Sequence, residues 1–266
     1  GDPTSIRVST GKIDALINMV GELVITQSML GEIGDRLVQG GASGLIDKLR
    51  DGLTALERNT RELQESVMRI RMLPISFAFN RLPRLVHDLG ARLGKQVELR
   101  MSGENTELDK TVMEKISDPL VHLVRNALDH GIEAPDARIA AGKPPTGTLH
   151  LNAFHQGGNI VIEIVDDGGG LDRRRILRKA VERGLVGAAE AAAMPDERID
   201  DLIFQPGFST ADAVSDVSGR GVGMDAVKRQ VEALGGQVAI VSATGKGVCV
   251  TISIPMGDVV PSAVGG

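Results

Sequence analysis

The chain has 266 residues, a formal net charge of −5, 42% apolar and 24% charged residues, which suits a soluble globular protein with room for about two domains. Its acidic balance, with five Phe, no Trp and no Tyr, argues against a nucleic-acid partner: neither phosphate-neutralising charge nor stacking surfaces are in supply. One cysteine excludes an intrachain disulfide framework and a multi-Cys zinc site, and Cys249 in Val-Cys-Val-Thr-Ile reads as a strand position. No apolar run approaches the ~18 residues of a membrane span and no signal peptide opens the chain, so a cytoplasmic setting without membrane insertion is expected. A start at Gly1 rather than Met suggests an excised piece of a longer protein.

The first elements in chain order are two helices. Apolar residues recur as Ile13, Leu16, Val20, Leu23, then Gln27, Leu30, Gly34 and Leu37, with Gln27 and Gly34 as flaws. A cleaner series follows: Ile46, Leu49, Leu53, Leu56, Thr60, Leu63, Val67, Ile70. Alternating spacings of three and four predict coiled-coil seams. The turn between them is Gln39-Gly40-Gly41-Ala42-Ser43-Gly44, in which Ser43 could cap the second helix. Ile17, Val24, Ile25 and Met29 widen the stripe beyond one partner's reach, so two hairpins packed as a four-helix bundle are expected, against the alternative of a hairpin folded onto its own chain. No histidine precedes His87, so this region offers no imidazole.

Pro74 disfavours helical geometry at Leu73 and marks a boundary. The expected domains are 1–73, a helical hairpin, 74–257, a second domain, and 258–266, a disordered tail. Within the second domain the pattern predicts a helix over 83–93, a strand over 96–101, a long helix over 112–129, a hairpin of strands 148–155 and 159–166 about Gln156-Gly157-Gly158, helices over 173–183 and 224–234, and a last hairpin of strands 238–242 and 248–254. Helices mixed with antiparallel hairpins point to a two-layer α/β sandwich and make the whole chain α+β.

Three clusters carry the chemistry. The helix over 112–129 is apolar almost all round, and its remaining stripe holds His122, Asn126 and Asp129 with His130 beside them. Buried polar groups need partners, so the stripe faces either other protein groups or a ligand. The strand Ile160–Val165 runs into Asp166-Asp167-Gly168-Gly169-Gly170: a carboxylate at a strand end can accept from an exocyclic amine, and Gly168 and Gly170 leave room for a flat base, although a plain loop tolerates glycines too. Ser218-Gly219-Arg220-Gly221-Val222-Gly223 opens into the helix from Met224, where free amides and the helix dipole suit an anion; a flexible turn is the other reading. It is neither a Walker A motif nor G-x-G-x-x-G after a strand. The segment 204–217 ahead of it looks like a mobile lid. Arg175 and Lys179 share one helix face, either solvated or in contact with phosphate.

Together the clusters resemble a known pattern. His122-Leu-Val-Arg-Asn126-Ala-Leu-Asp129-His130-Gly131 resembles the N box of the gyrase, Hsp90, histidine kinase and MutL superfamily; Asp166 to Gly170 its first glycine box, Phe204 to Phe208 its F box, and Gly219 to Gly223 its second glycine box. Four motifs in the right order make chance an unattractive explanation. The run from Ile6 to Val24, Asn126-Ala-Leu-Asp-His-Gly-Ile-Glu, Pro206-Gly-Phe-Ser-Thr and Val217-Ser-Gly-Arg-Gly-Val-Gly-Met-Asp are similar to the CheA family of chemotaxis histidine kinases, over about residues 5 to 256.

That resemblance implies a homodimeric, ATP-dependent protein-histidine kinase core with Mg²⁺ as cofactor. It implies Asn126 as metal ligand, His122 in catalysis (orienting the γ-phosphate or helping to deprotonate the accepting histidine), Asp166 on the adenine amine and Thr251 supporting that end through water. Arg125, Asp129, His130, Gly168, Gly170, Arg175, Ile176, Lys179, Ser209, Thr210, Gly219, Arg220, Gly221, Val222, Gly223 and Met224 complete the implied nucleotide site. The hairpin lacks a phospho-acceptor histidine, which implies transfer in trans to a separate histidine-phosphotransfer domain. Receptor and coupling-protein contacts would use a further domain absent from this sequence, and Ala211 stands where some members place a lid lysine. A clamp ATPase and a dimeric nucleotide-binding scaffold without kinase activity are the competing functions; His122 in place of a glutamate counts against the first, and retention of Asn126, Asp166 and the glycines against the second.

Overall fold

Helical periodicity organises the first unit of the computed structural model, which describes residues 8–39, 44–208 and 223–256. Helices α1 (Thr10–Val38) and α2 (Leu45–Ile70) run antiparallel, with the Lys12 ammonium donating to the Arg69 carbonyl at one end and Leu30 against Gly52 toward the other. Their inward positions are Leu16, Met19, Leu23, Thr26, Leu30, Ile33 and Leu37 on α1, and Leu45, Leu49, Gly52, Leu56, Asn59, Leu63, Ser66 and Ile70 on α2. Half of the seam read from the sequence is therefore displaced by one residue. Met19, Thr26 and Ile33 face α2 where Val20, Gln27 and Gly34 were expected, and Leu45, Gly52, Asn59 and Ser66 replace Ile46, Leu53, Thr60 and Val67. The physical reason is the width of the stripe: a helix with apolar residues on more than one seam can turn either toward its neighbour. The apparent flaws at Gln27 and Gly34 sit off the intrachain seam, and a buried polar pair, the Asn59 amide donating to Thr26 Oγ1 at 3.0 Å, sits in it.

What the hairpin leaves exposed is its most apolar face, including Ile17 at 61%, Ile25 at 71% and Leu53 at 52% exposure. By length and composition α1 is long and apolar enough to cross a membrane, with mean hydropathy 1.3 in its best 18-residue window, although no continuous apolar run of that length occurs in it. The window reaches that value even though Asp14 and Glu22 interrupt the helix.

The second compact unit spans Leu73–Met256. A short strand β1 (Met72–Pro74) leads into α3 (Ser76–Phe79), α4 (Leu82–Leu93) and β2 (Gln96–Ser102); β3 (Glu107–Asp109) pairs with β1. Helix α5 (Lys110–Asn126) starts on an Asp109 cap that accepts from the Thr111 amide and passes into a π-helical turn, Ala127–Gly131. Then come α6 (Pro135–Ala140), β4 (Thr146–Gln156), β5 (Asn159–Asp166), α7 (Arg173–Glu182), α8 (Ala188–Ala192), α9 (Asp196–Asp201), a 3₁₀ turn (Leu202–Phe204), α10 (Met224–Glu232), β6 (Gln237–Ala243) and β7 (Gly247–Pro255). The β4–β5 turn places Gly157 and Gly158 at φ of 58° and 77°, the region a two-residue hairpin requires.

The five-stranded sheet has the order β2-β4-β5-β7-β6, with β2 parallel to β4 and the other pairs antiparallel. Register sorts the side chains. Leu151, Ile164 and Val250 are cross-strand partners, as are Ala153, Ile162 and Ile252, and all six belong to a core shared with Ile116, Leu120 and Leu128 of the α5 region and Val227 and Val231 of α10. The alternate residues, among them His150, Asn152, Glu163 and Thr251, occupy the opposite face and stay partly exposed. One face covered by helices and one left polar is the two-layer α/β sandwich, and with the hairpin the chain is α+β.

Candidate functional site

The inner face of the sheet ends in a carboxylate. Asp166 is the last residue of β5 and lies in register with Leu149 and Val248, so its side chain continues the row Ile160, Ile162, Ile164 into the core layer. It is 6% exposed, and Oδ1 accepts from the Gly168 amide at 2.9 Å. Burial pushes its carboxyl up to about 6; the Gly168 amide opposes this, and the charges of Asp167 and Glu133 add to it. A carboxylate held this way is an anionic acceptor at neutral pH, costly to keep charged unless a donor arrives.

The glycines around it are explained by backbone crowding. A Cβ on Gly168 would fall 2.0 Å from the Gly131 carbonyl oxygen, and one on Gly247, at φ 122°, 1.9 Å from the Asp166 carbonyl oxygen. The Gly169 amide donates to the Gly131 carbonyl at 3.2 Å, joining this loop to the end of the π turn. Gly170 has φ 81°, and a Cβ there would meet the Ala243 carbonyl at 2.8 Å. Room for a flat base was the sequence argument for Gly168 and Gly170; close passage of the π turn at Gly131 already requires the first, and that of the end of β6 at Ala243 the second.

The polar stripe of α5 supplies the second component. His122 and Asn126 are half-buried, and Asn126 Nδ2 lies 3.3 Å from His122 Nε2 and 3.2 Å from the Met224 sulfur at the start of α10. Burial and the nearby Arg125 guanidinium lower the His122 pKa, with Asp225 opposing, so the ring is neutral at physiological pH. Among the described residues the Asn126 amide oxygen accepts no hydrogen bond. The first-turn amides of α10 follow Gly223, which caps the helix through its backbone only. Asp129 is half-buried and Arg125 and His130 are exposed. The π turn, whose Ile132 amide donates to the Ala127 carbonyl at 2.8 Å, leaves carbonyls that Lys95 covers, its ammonium reaching Leu128 at 2.5 Å and Asp129 at 3.1 Å. Turns of this kind recur at functional sites because they re-aim the residues beside them.

Other expected residues are placed elsewhere. Thr251 pairs with Glu163 and so lies on the outer face, away from Asp166; its nearest recorded polar partner is Cys249 at 3.7 Å. The alternation of a strand allows only Val248, two places from Val250, to flank Asp166 from β7. Ile176 belongs to the core, and Arg175 is exposed next to the Asp172 cap of α7. Lys179 stacks over the Phe208 ring at 5.1 Å and helps line a basic hollow of about 190 Å³ with Arg175, Arg178, Glu182 and Arg183, which includes neither Asp166 nor Asn126. Ser209, Thr210, Gly219, Arg220, Gly221, Val222, most of the lid and the tail 258–266 lie outside the described residues.

Comparisons with known proteins place the chain in a family. Residues 115–258, more than half of the chain, match the model of the histidine kinase-, DNA gyrase B- and HSP90-like ATPases. The chain belongs to that ATPase family. Residues 3–70 match the homodimeric domain of signal-transducing histidine kinases. Among curated relatives, this family member is 55% identical over 260 residues to the chemotaxis protein CheA of Klebsiella aerogenes, covering 96% of this chain and 38% of that protein. It is 54% identical over 255 residues to CheA of Salmonella typhimurium (96% and 37%) and 44% identical over 256 residues to CheA of Bacillus subtilis (96% and 37%). The chain thus spans well under half the length of these relatives.

Sequence reasoning missed Lys95, Glu133, Arg138, Lys143 and the distinct part played by Asp167. Arg138 is 1% exposed and forks onto Asp167, and Lys143 bridges Glu133 and two backbone carbonyls of the same loop. A Glu, an Arg and a Lys five residues apart look like an ordinary solvated surface, so only the near-complete burial of Arg138 signals otherwise.

Proposed function

We propose that this chain is the dimeric core of a cytoplasmic chemotaxis protein-histidine kinase, moving the γ-phosphoryl group of ATP to a histidine on a separate phosphotransfer domain. The observation that carries the reading is the buried Asp166 carboxylate beside the π turn at Gly131, an anionic acceptor suited to the adenine amine. Family membership and the CheA relatives support it. Asn126 fits a hard cation: among the described residues its amide oxygen is free and no cluster of three or more His, Cys, Asp or Glu could bind a metal without help, so phosphate and water oxygens would complete the shell. Mg²⁺, when bound there, supplies neutralisation of phosphate charge. Positioning does most of the rest in phosphoryl transfer.

In the transfer, an acceptor imidazole nitrogen forms a bond to the γ-phosphorus while the bond to the β–γ bridging oxygen breaks, ADP leaves, and the imidazole sheds its other ring proton. Neutral His122, beside Asn126, is suited to take that proton. The amides at the start of α10, and the glycines 219, 221 and 223 before it, would hold the phosphates. Dimerisation through the face of α1 and α2 that one hairpin leaves exposed makes a four-helix bundle and covers Ile17, Val24 and Leu53. Receptor and coupling-protein contacts belong to parts of the longer protein.

The test is phosphotransfer from labelled ATP to a purified phosphotransfer domain from a CheA-like protein. Label on that domain, absent with Asn126→Ala, is the expected result; ATP hydrolysis at the same rate with and without the acceptor would favour a plain ATPase.

A further inference from the structure

Asp166 ends β5 and Asp167 follows it, and the fold gives the two aspartates different partners. Asp166 turns inward, whereas Asp167 is engaged on both carboxylate oxygens. Its Oδ1 accepts from the Thr148 amide at 2.8 Å and Arg138 Nη1 at 3.2 Å, and its Oδ2 from Arg138 Nη2 at 3.1 Å. Backbone carbonyls of the same turn are claimed too. The Asp167 carbonyl accepts from Arg138 Nη1 at 3.2 Å and Lys143 Nζ at 3.0 Å, and the Gly168 carbonyl from Lys143 Nζ at 2.8 Å. Glu133 ties the two cations together, at 3.1 Å to Arg138 and 2.9 Å to Lys143, and Arg138 Nε donates to the Pro144 carbonyl at 2.7 Å.

Helix α6 makes this cluster possible. Pro135 starts it, Gly142 at φ 77° ends it, and the Lys143 amide donates back to the Arg138 carbonyl at 2.8 Å, so both cations emerge on one side. Two cations meet two carboxylates, and the four charges balance. Although burial works against it, the Lys143 hydrogen bond holds the Glu133 carboxyl below its ordinary range, so the pairing is ionic. Such a network is a poor source of net stability, since replacement by apolar residues of similar volume is often neutral or better. Its distinguishing property is direction: planar forks and fixed carbonyl contacts leave the turn one geometry.

We infer that Arg138 and Lys143 are positioning residues of the nucleotide site, holding the turn 166–168 so that Asp166, and not Asp167, presents its carboxylate to the base. The inference rests on the reading of Asp166 as the base acceptor. It makes base selectivity depend on Arg138 of α6 and on Lys143 just beyond that helix.

The experiment uses the full chain with Lys143→Met, Lys143→Arg and Arg138→Lys. Mg²⁺-supported binding is titrated with ATP and with inosine triphosphate, whose base carries a carbonyl in place of the amine. Lys143→Met and Arg138→Lys are expected to lower the preference for ATP about tenfold, the worth of one hydrogen bond to a charged group, while affinity for inosine triphosphate changes less than twofold; Lys143→Arg restores most of the preference. Equal weakening of both nucleotides, or an unchanged ratio, overturns the inference. A second arm needs no nucleotide: exchange of the Gly168 and Gly169 amides should quicken at least tenfold in Lys143→Met with the Ile162 and Ile252 amides unaltered, and unchanged exchange there also overturns it. If the unsubstituted chain binds neither nucleotide, the base reading fails, and the exchange arm alone judges whether the turn is held as described.

Discussion

The hairpin and the α/β unit bury their residues by different logic. Within the hairpin the inward positions include Thr26, Gly52, Asn59 and Ser66, small or polar, while Ile17, Val24, Ile25 and Leu53 remain exposed. In the α/β unit the order is reversed: Ile116, Leu120, Leu149, Leu151, Ile160, Ile162, Ile252 and Ile254 are all fully buried, and polar groups that enter, such as Asp166 and Arg138, are hydrogen-bonded. At about 1.5–3 kcal/mol for each large side chain fully buried, the second unit completes its core from its own chain. The hairpin leaves apolar side chains such as Ile17, Val24 and Leu53 uncovered by its own described residues. Core stability of the one and the proposed self-association of the other can therefore be probed by separate substitutions.

The largest effect is expected from Asn126→Ala, which removes the amide oxygen proposed to hold the metal: phosphotransfer should fall on the order of 10²-fold or more, with the dimer intact by light scattering. A charge in the exposed hairpin stripe comes next and should do the converse. Val24→Glu is expected to turn a micromolar dimer into monomer, while calorimetric Mg-ATP affinity stays within about twofold; a dimer that survives it would show that the exposed face is not the interface, and a lost affinity would show that the two regions are not independent.

Asp166→Asn tests the strain in the site. The carboxyl is raised from an ordinary value near 3.8 to about 6 in the fold, so folding is favoured while it is protonated. The favourable contribution is complete below the unfolded value and is lost as pH rises through about 6. At pH 7.5 the neutral amide should therefore raise the melting temperature, by up to roughly 3 kcal/mol in stability, while ATP affinity falls at least tenfold. In the unsubstituted chain, ATP affinity should decline as pH drops below about 6, and the substitution should flatten that decline; a destabilised Asn variant would remove the argument from burial. The smallest change is Asn59→Leu paired with Thr26→Val. Replacing the buried polar pair should leave stability within about 1 kcal/mol or raise it, and the expected cost is looser helix register, read as broadened interhelical disulfide trapping between introduced cysteine pairs.

Much of the architecture is legible in the sequence because it is written in local periods. Strand 159–166 is found at its expected bounds, and the other main helices and strands of the second unit differ by a few residues at most. Helix existence in the hairpin was legible too, yet its register was not: with apolar residues on two adjoining seams, only the packed partner chooses between Val20 and Met19. The order of the Asn126, Asp166 and glycine motifs likewise points to a candidate site from the sequence. Alternation along β7 was available to disqualify Thr251, but its face depends on the pairing of β7 with β5, a contact almost ninety positions apart.

By itself, then, the sequence determined that a helical hairpin precedes an α/β sandwich and singled out an asparagine, an aspartate and glycines as its candidate site. Tertiary structure alone decided which seam closes the hairpin, that the long helix ends in a π turn covered by Lys95, and that Asp167 is an anchor while Asp166 faces inward. The reason is range. Periodicity is a property of neighbouring residues, whereas the burial of Arg138 and the direction of an aspartate depend on segments that meet only once the chain has folded.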